Sequence, residues 1–259
     1  MINPQQFFFI AATAYAASGA AAVTRRGRTV TILFLLIGMA FNSIAVGLRY
    51  WHAWPMMPMH LGPLALPLCL GIFSLTGGLR SKEKNNRTGL ELRLLPALLL
   101  LSALPAVFFP KDYYLPFLKS NTIFSHIFFL FSVLGKTCFL IGALKAVVYL
   151  HSRKNGRAAD QEPGLDKTMH WVIWGFAFWT LSMFSGGIWS YLGWGTPVVW
   201  EDAAITITMA TWFYYICLLH LHLTGTWNMR KRALFTIIGT FAILGLNCHP
   251  DMGPLRLPF

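Results

Sequence analysis

Tryptophan and histidine residues concentrate towards the C-terminal end of the chain, in a pattern that suits the binding of a flat, metal-bearing ring. Five aromatic residues and two acids lie within residues 187–212. His220 follows inside an apolar segment, and His249 comes just after the last apolar segment. Aromatic faces bury flat apolar rings well, and imidazole is a common axial ligand of haem iron. The pattern therefore predicts a haem held on an outer loop, the tryptophan loop (residues 189–202).

Two histidines are the first candidates for axial iron ligands. His126 lies about one helical turn inside the outer end of the fifth apolar segment, and His249 lies at the outer end of the eighth. From these positions the two imidazoles could approach the tryptophan loop from opposite sides. The alternative for each is an interfacial histidine that hydrogen-bonds to backbone or water.

His220 is a candidate for an intramembrane ligand, because it lies deeper, within the seventh apolar segment. Ionisable side chains inside a membrane are costly, and they default to a functional hypothesis. The alternative is a histidine that hydrogen-bonds to a neighbouring helix.

Two other kinds of site are less favoured by the sequence. Residues 50–60 combine three methionines with two histidines, and such soft ligands suit monovalent copper. Methionine and tryptophan also belong at the membrane interface, and that interpretation is preferred. Covalent haem attachment through C-x-x-C-H is not expected, because Cys248-His249 lacks a second cysteine three residues upstream.

Composition identifies an integral membrane protein. The chain is 56% hydrophobic and only 12% charged, whereas soluble domains carry about 25% charged residues. The net charge of +12 could indicate a nucleic-acid partner, but most of the 21 lysines and arginines lie in four short polar segments between apolar runs. Basic loops of this kind stay on the cytoplasmic side, so the charge reports topology and not nucleic-acid binding. The segments are residues 25–28, 80–93, 153–167 and 230–232.

An all-α fold with about eight transmembrane helices is predicted, since each crossing needs about 20 apolar residues and the runs are too long and unalternating for barrel strands. With the basic loops inside, both termini face the outer (periplasmic) side of a bacterial-type inner (cytoplasmic) membrane. Residues 1–259 are interpreted as a single membrane domain, in which the loop 155–166 divides five helices from three. The predicted spans are approximately residues 5–23, 30–48, 58–79, 94–109, 122–150, 169–192, 203–223 and 233–248.

Several short motifs follow one another in order from the second span to the end of the chain. They are residues 48–51 (LRYW), 116–121 (PFLKSN), 186–189 (GGIW), 194–195 (WG), 200–201 (WE), 211–212 (TW), 219–220 (LH), 229–232 (MRKR) and 245–247 (GLN). In this order and spacing they resemble the cytochrome c assembly family, the CcsA-type haem-handling proteins with a WWD domain.

The resemblance implies a protein of cytochrome c biogenesis that holds haem b non-covalently. It implies that haem is presented at the outer face, where its vinyl groups react with cysteines of an apocytochrome c or a multihaem cytochrome. A partner membrane subunit and a role as a component of a cytochrome c haem lyase (synthase) are also implied. The expected roles are iron ligation by His126 and His249, porphyrin walls, propionate neutralisation and a second site within the membrane. Trp189, Trp194 and Trp200 would form the porphyrin walls. Arg49 would neutralise a propionate, and His220 would be the ligand within the membrane.

Three departures from the family pattern bear on activity. Asn42 stands where the family has the inner partner of His220, and an amide is a poor iron ligand. In the tryptophan loop, Val198 replaces a tryptophan and Glu201 replaces an aspartate. These changes alter the surface expected to dock haem and leave synthase activity open. The alternative function is a divergent, non-catalytic CcsA-like subunit that anchors a membrane redox complex or relays electrons in it.

Overall fold

Eight α-helices and no strand occur in the part of the chain that the computed structural model describes, which is residues 3–24, 28–55, 61–80, 86–108, 122–154, 163–200 and 203–248. Each coincides with one predicted span, so the all-α class and the order of the helices are confirmed. The helices are α1 (Pro4–Val23), α2 (Arg28–Ala53), α3 (Leu61–Arg80), α4 (Asn86–Phe108), α5 (Ile123–Lys154), α6 (Pro163–Trp194), α7 (Ala203–Leu223) and α8 (Met229–Cys248).

Six helices are long and apolar enough to cross a membrane, within the described ranges. They belong to α1, α2, α4, α5, α6 and α7, while α3 contributes a shorter apolar stretch, Leu61–Thr76. The protein is therefore multi-pass. Helices α5 and α6 have 32 residues each and exceed their predicted spans, because a helix can continue into water with charged residues that hydropathy excludes.

Local sequence explains where α1 and α8 begin. The side chain of Asn3 accepts a hydrogen bond from the backbone N–H of Gln5 at 2.9 Å, and Pro4 occupies the first helical position. The side chain of Asn228 likewise accepts from the backbone N–H of Lys231 at 3.0 Å. An asparagine at the N-cap satisfies a backbone donor that the helix itself cannot pair.

The turn between α7 and α8 is closed by Arg232. Its Nε donates to the carbonyl oxygen of Trp227 at 2.7 Å, and its Nη1 lies 2.8 Å from Nδ1 of His222. A guanidinium can only donate, so Nδ1 of His222 accepts and the ring proton is on Nε2. Gly225, with a φ of +66°, supplies the left-handed conformation that the turn requires.

The chain divides into two compact units, residues Met1–Pro116 with Met252–Phe259 and residues Phe117–Asp251. The first unit contains α1 to α4, and the second contains α5 to α8. The predicted division at the loop 155–166 is wrong, because α5 and α6 belong to the same unit and are its most extensively packed pair. A polar loop marks the end of a hydrophobic span, but it does not separate the two helices that it joins. The single membrane domain stays a prediction.

The core of the first unit draws on all four of its helices. Phe8, Ala45, Leu64 and Ala103 come from α1, α2, α3 and α4, and each is nearly or fully buried. Ala45 and Ala103 are small side chains, so α2 and α4 can pack closely around Phe8.

The core of the second unit is built around aromatic rings. Phe139 of α5 stacks on Tyr215 of α7 with ring centroids 3.5 Å apart and planes 4° apart. Gly175 of α6 lies against the Phe139 ring, and a Cβ atom there would come within 2.6 Å of it. A Cβ atom added to Gly135 of α5 would lie 3.2 Å from the carbonyl oxygen of Gly175. Glycine is therefore required at position 175, and a side chain at position 135 would be tightly packed.

We expect Gly175→Val to destabilise the protein by about 1–3 kcal/mol, because Phe139 is held against Tyr215 and cannot swing away from the added methyl groups. The measurement is thermal unfolding in detergent, followed by the helical circular dichroism signal. The matched control is Gly245→Val in α8, since a Cβ atom there meets nothing within 4 Å. Equal effects of the two substitutions would contradict the close crossing.

Candidate functional site

Hydroxyl groups of α6 bind the start of α5 at the end of the second unit that is predicted to face outward. Oγ of Ser185 donates to the carbonyl oxygen of Phe124 at 3.0 Å, and Oγ of Ser182 donates to that of Phe128 at 2.9 Å. Gly186 leaves room for the Phe128 ring, which would lie 2.8 Å from a Cβ atom at this position. These contacts fix the end of α6, from which the tryptophan loop departs.

An aromatic cluster, defined as Phe128, Trp189 and Trp194, connects α5 to the tryptophan loop. The rings of Phe128 and Trp189 have centroids 5.9 Å apart, and Trp189 meets Trp194 edge-on at 6.3 Å. Trp189 is only 8% exposed, whereas Trp194 is 41% and Trp200 is 71% exposed. Trp189 therefore packs between helices and offers a ligand little of its ring face. The other two predicted walls have open indole faces.

The backbone of the tryptophan loop is tied back onto α6. Gly195 has a φ of +76° and its N–H donates to the carbonyl oxygen of Tyr191 at 2.9 Å, which ends the helix as a glycine cap. Oγ of Ser190 donates to the carbonyl oxygen of Thr196 at 2.9 Å, and Oγ1 of Thr196 donates to that of Val198 at 3.1 Å. The indoles of the loop are thus carried on a fixed turn.

Two buried polar atoms at this end have no hydrogen-bond partner among the described residues. They are Nε1 of Trp189 and Oγ1 of Thr122. A buried donor without an acceptor costs about 1–3 kcal/mol. Trp179, deeper in α6, shows the usual arrangement, because its Nε1 donates to the carbonyl oxygen of Thr208 at 3.1 Å. A ligand that carries an acceptor could satisfy the Trp189 N–H.

His126 is half-buried in the first turn of α5, one residue after the fully buried Ser125. His126 and Phe128 are two positions apart, so their side chains lie about 200° apart around the helix. Phe128 faces Trp189, and His126 therefore lies on the other side of α5 from the buried part of the aromatic cluster. His249 lies outside the described residues, as do Glu201 and the methionines of residues 56–60. The bis-histidine pair stays a prediction.

His220 lies near the inner end of α7, three residues before its last residue. It shares an exposed face of the helix with Phe213 and Cys217, whereas Tyr215 and Leu218 are fully buried on the opposite face. Its side chain is therefore not part of the core of the second unit. Nowhere in the described ranges do three or more His, Cys, Asp or Glu side chains form a group that could hold a metal ion.

Asn42 is built into the packing of α1 against α2. It is fully buried, and its Nδ2 donates to the hydroxyl oxygen of Tyr15 at 3.2 Å, while its Oδ1 has no partner among the described residues. Gly38, one turn earlier, brings the Tyr15 ring against α2. The Asn42 amide thus has a structural role of its own. Arg49 is half-buried about two turns further along the same face of α2.

Lys136 is a residue with functional chemistry that the sequence analysis missed. It lies in the middle of the span Ile123–Ser152, is half-buried, and its Nζ is 5.7 Å from the ring centroid of Trp179. The available signal was a basic residue, between Gly135 and Thr137, near the middle of a long apolar segment. An intramembrane charge of this kind is a functional hypothesis by default.

Comparison with known proteins places the chain. The family model "Cytochrome C assembly protein" matches residues 7–246. The chain belongs to this family. The fold also matches the solved structure of "Cytochrome c Heme Lyase CcmF" with a TM-score of 0.63 and 16% sequence identity, over 97% of this chain and 46% of that one. At this identity the match concerns the fold alone, and it confirms the all-α membrane architecture.

Several relatives are named "Cytochrome c biogenesis protein CcsA". That of Chlamydomonas reinhardtii is 27% identical over 167 residues, covering 59% of this chain and 46% of the relative. That of Guillardia theta is 27% identical over 161 residues, covering 51% and 52%. A third, from Prochlorococcus marinus (strain MIT 9515), is 34% identical over 73 residues, covering 28% and 23%. The chain spans about half the length, or less, of these relatives. The predicted resemblance to the cytochrome c assembly family is confirmed.

We expect Trp179→Phe to lower the free energy of unfolding by at least about 1 kcal/mol more than Trp189→Phe, although the chemical change is the same. The first substitution removes a hydrogen bond to Thr208, whereas the second removes an N–H that has no acceptor. Denaturant unfolding in detergent measures both. Equal losses would show that the Trp189 N–H is already paired in the ligand-free protein.

Proposed function

We propose that this protein binds haem b non-covalently at the outer end of its second unit and presents it for attachment to an apocytochrome c. Family membership in cytochrome c assembly supports the general role. The observation that carries the finer proposal is the tryptophan loop, which holds two exposed indoles on a turn anchored by the buried Trp189. We further propose that this end faces the periplasm of a bacterial-type inner membrane.

The chemistry of this end fits a porphyrin. Haem is a flat and largely apolar ring with two acidic side groups, so it needs aromatic faces, axial nitrogen ligands and hydrogen-bond donors. Trp194 and Trp200 offer the faces, and the unpaired N–H of Trp189 offers a buried donor. The imidazole of His126 is half-buried at the start of α5, the helix that packs against α6.

The residues have distinct roles in this proposal. His126 and His249 would hold the iron, and the indoles of Trp194 and Trp200 would cover the ring and exclude water from it. Trp189 positions these indoles. When bound, haem supplies the vinyl groups that react with cysteine thiols, and the protein supplies position and electrostatics.

Two further residues keep the roles predicted from the sequence. Arg49 belongs to the first unit, and its role as the partner of a propionate stays a prediction. His220 is the ligand for a second haem, and its place on an exposed helix face means that the other ligand must come from outside the core of the second unit. A partner membrane subunit and an apocytochrome c or multihaem cytochrome complete the assembly.

We expect the purified protein to show the absorption bands of a haem b with two histidine ligands, and the double variant His126→Ala with His249→Ala to lose them. The matched control is His170→Ala, because His170 is an exposed histidine at the other end of α6. An unchanged spectrum in the double variant would place the ligands elsewhere. Absence of haem from the wild-type protein, even after addition of haem, would exclude the proposal.

A second function is supported by the packing of Asn42. The family's inner ligand is replaced by an amide that is fully buried and hydrogen-bonded to Tyr15, so the change is accommodated by the fold. This favours a divergent, non-catalytic subunit that anchors a membrane redox complex or relays electrons in it. Such a subunit would serve one complex and not cytochrome c maturation in general.

Deletion of the gene separates the two functions. A haem-presenting assembly protein is required for every covalent haem of its pathway, so we expect loss of all c-type cytochromes, measured by haem-staining of membrane proteins after denaturing electrophoresis. Loss of a single complex with all other c-type cytochromes retained would favour the subunit. Re-expression of the wild-type chain is the control for effects on neighbouring genes.

A further inference from the structure

Lys136 places a positive charge within the membrane-spanning part of α5. It is the fourteenth residue of a helix whose apolar span covers Ile123–Ser152. Charged side chains at such a depth are rare, face the interior of a bundle or a polar cavity, and have a partner there. The nature of that partner can be argued from the surroundings of Lys136.

The face of α5 that carries Lys136 is turned towards the protein and not towards lipid. Residues three and four positions apart share a face of a helix. Val133, Leu140 and Ala143 stand at such positions from Lys136, and they are 7%, 1% and 1% exposed. Lys136 itself is half-buried, so part of its side chain stays accessible from outside the unit.

The membrane helices of the second unit offer Lys136 no carboxylate. Neither Asp nor Glu occurs within residues 113–159, 167–200 or 203–250. These ranges include all of α5, α7 and α8 and the part of α6 after its first turn. A protein carboxylate in these helices therefore cannot balance the charge.

The ring of Trp179 is the contact that the structure gives to the ammonium group. Nζ lies 5.7 Å from the ring centroid, within the range of a cation–π interaction. Trp179 is 2% exposed, and its own N–H is fixed by the carbonyl oxygen of Thr208. The ring thus holds the ammonium from one side. An ammonium has three N–H donors, and a π face accounts for only one direction.

We propose that Lys136 and Trp179 form a binding site for the carboxylate of an amphipathic ligand that enters the second unit. The ammonium donates to the carboxylate, and the ring orients the ammonium. In the form that rests on the proposed function, the carboxylate is a haem propionate. Lys136 lies ten residues inward of His126, a rise of about 15 Å along α5. The other source of the same chemistry is a long-chain fatty acid.

The test compares iron protoporphyrin IX with its dimethyl ester, in which both carboxylates are neutral, by absorption titration of the purified full chain in detergent. We expect the wild-type protein to bind iron protoporphyrin IX at least about ten-fold more tightly than its dimethyl ester, because only the free carboxylate can accept a charge-assisted hydrogen bond. Lys136→Met should reduce this preference by about ten-fold relative to the wild-type protein, and Lys136→Arg should keep it. Lys231→Met is the matched control, because it removes the same charge from the exposed start of α8.

Each outcome is decisive. Equal affinities in the wild-type protein, or a preference as large in Lys136→Met as in the wild-type protein, would overturn the site. If neither porphyrin binds, titration with a radiolabelled fatty acid decides. Binding that is lost in Lys136→Met and kept in Lys231→Met and Lys136→Arg would support the site while the haem proposal fails. If the fatty acid does not bind, or if it binds equally well to Lys136→Met, the site is overturned as well.

Discussion

The close approach of α5 to α6 is the contact on which the second unit depends. Gly135 and Gly175 let the two backbones meet at their crossing, and an added methyl group on Gly175 has no space beside the Phe139 ring. Towards the predicted outer end, serine hydroxyls of α6 replace glycine and donate to carbonyl oxygens of α5. In lipid, where the hydrophobic effect does not drive helices together, small residues and interhelical hydrogen bonds are the expected means of association. One helix pair therefore positions the tryptophan loop, His126 and Lys136.

Two tryptophans of α6 illustrate how the same side chain can serve packing or ligand binding. Trp179 is buried, its N–H is paired, and its ring contacts the ammonium group of Lys136. Trp189 is nearly as buried, but its N–H has no acceptor among the described residues. The difference lies in the neighbour: α7 brings the carbonyl oxygen of Thr208 to the first ring, and the second ring stands where α6 gives way to a loop. An unpaired donor beside exposed indoles is the arrangement expected where a ligand completes the structure.

The predicted spans matched the helices because hydropathy and helix length are both fixed by the membrane. Where other forces act, the sequence was less informative. The lengths of α5 and α6 and the boundary between the two units depend on which helices pack together, and a polar loop such as 155–166 does not report that. Among candidate site residues, Trp189 could be located on α6 from its spacing, but its burial could not be predicted. Lys136 was visible as a charge in an apolar segment, yet only the buried residues around it set it apart from a lysine that faces lipid.

The sequence by itself determined the class of protein, the number and order of its helices, and its family, because composition, apolar length and ordered motifs are properties of the chain taken segment by segment. The tertiary structure decided which of those segments are neighbours. It placed His126 and Phe128 on opposite sides of α5, put His220 on an exposed face, and joined Asn42 to Tyr15. The direction of a side chain around a helix follows from the helix, but what lies in that direction depends on other helices that are distant in sequence. That information exists only once the chain is folded.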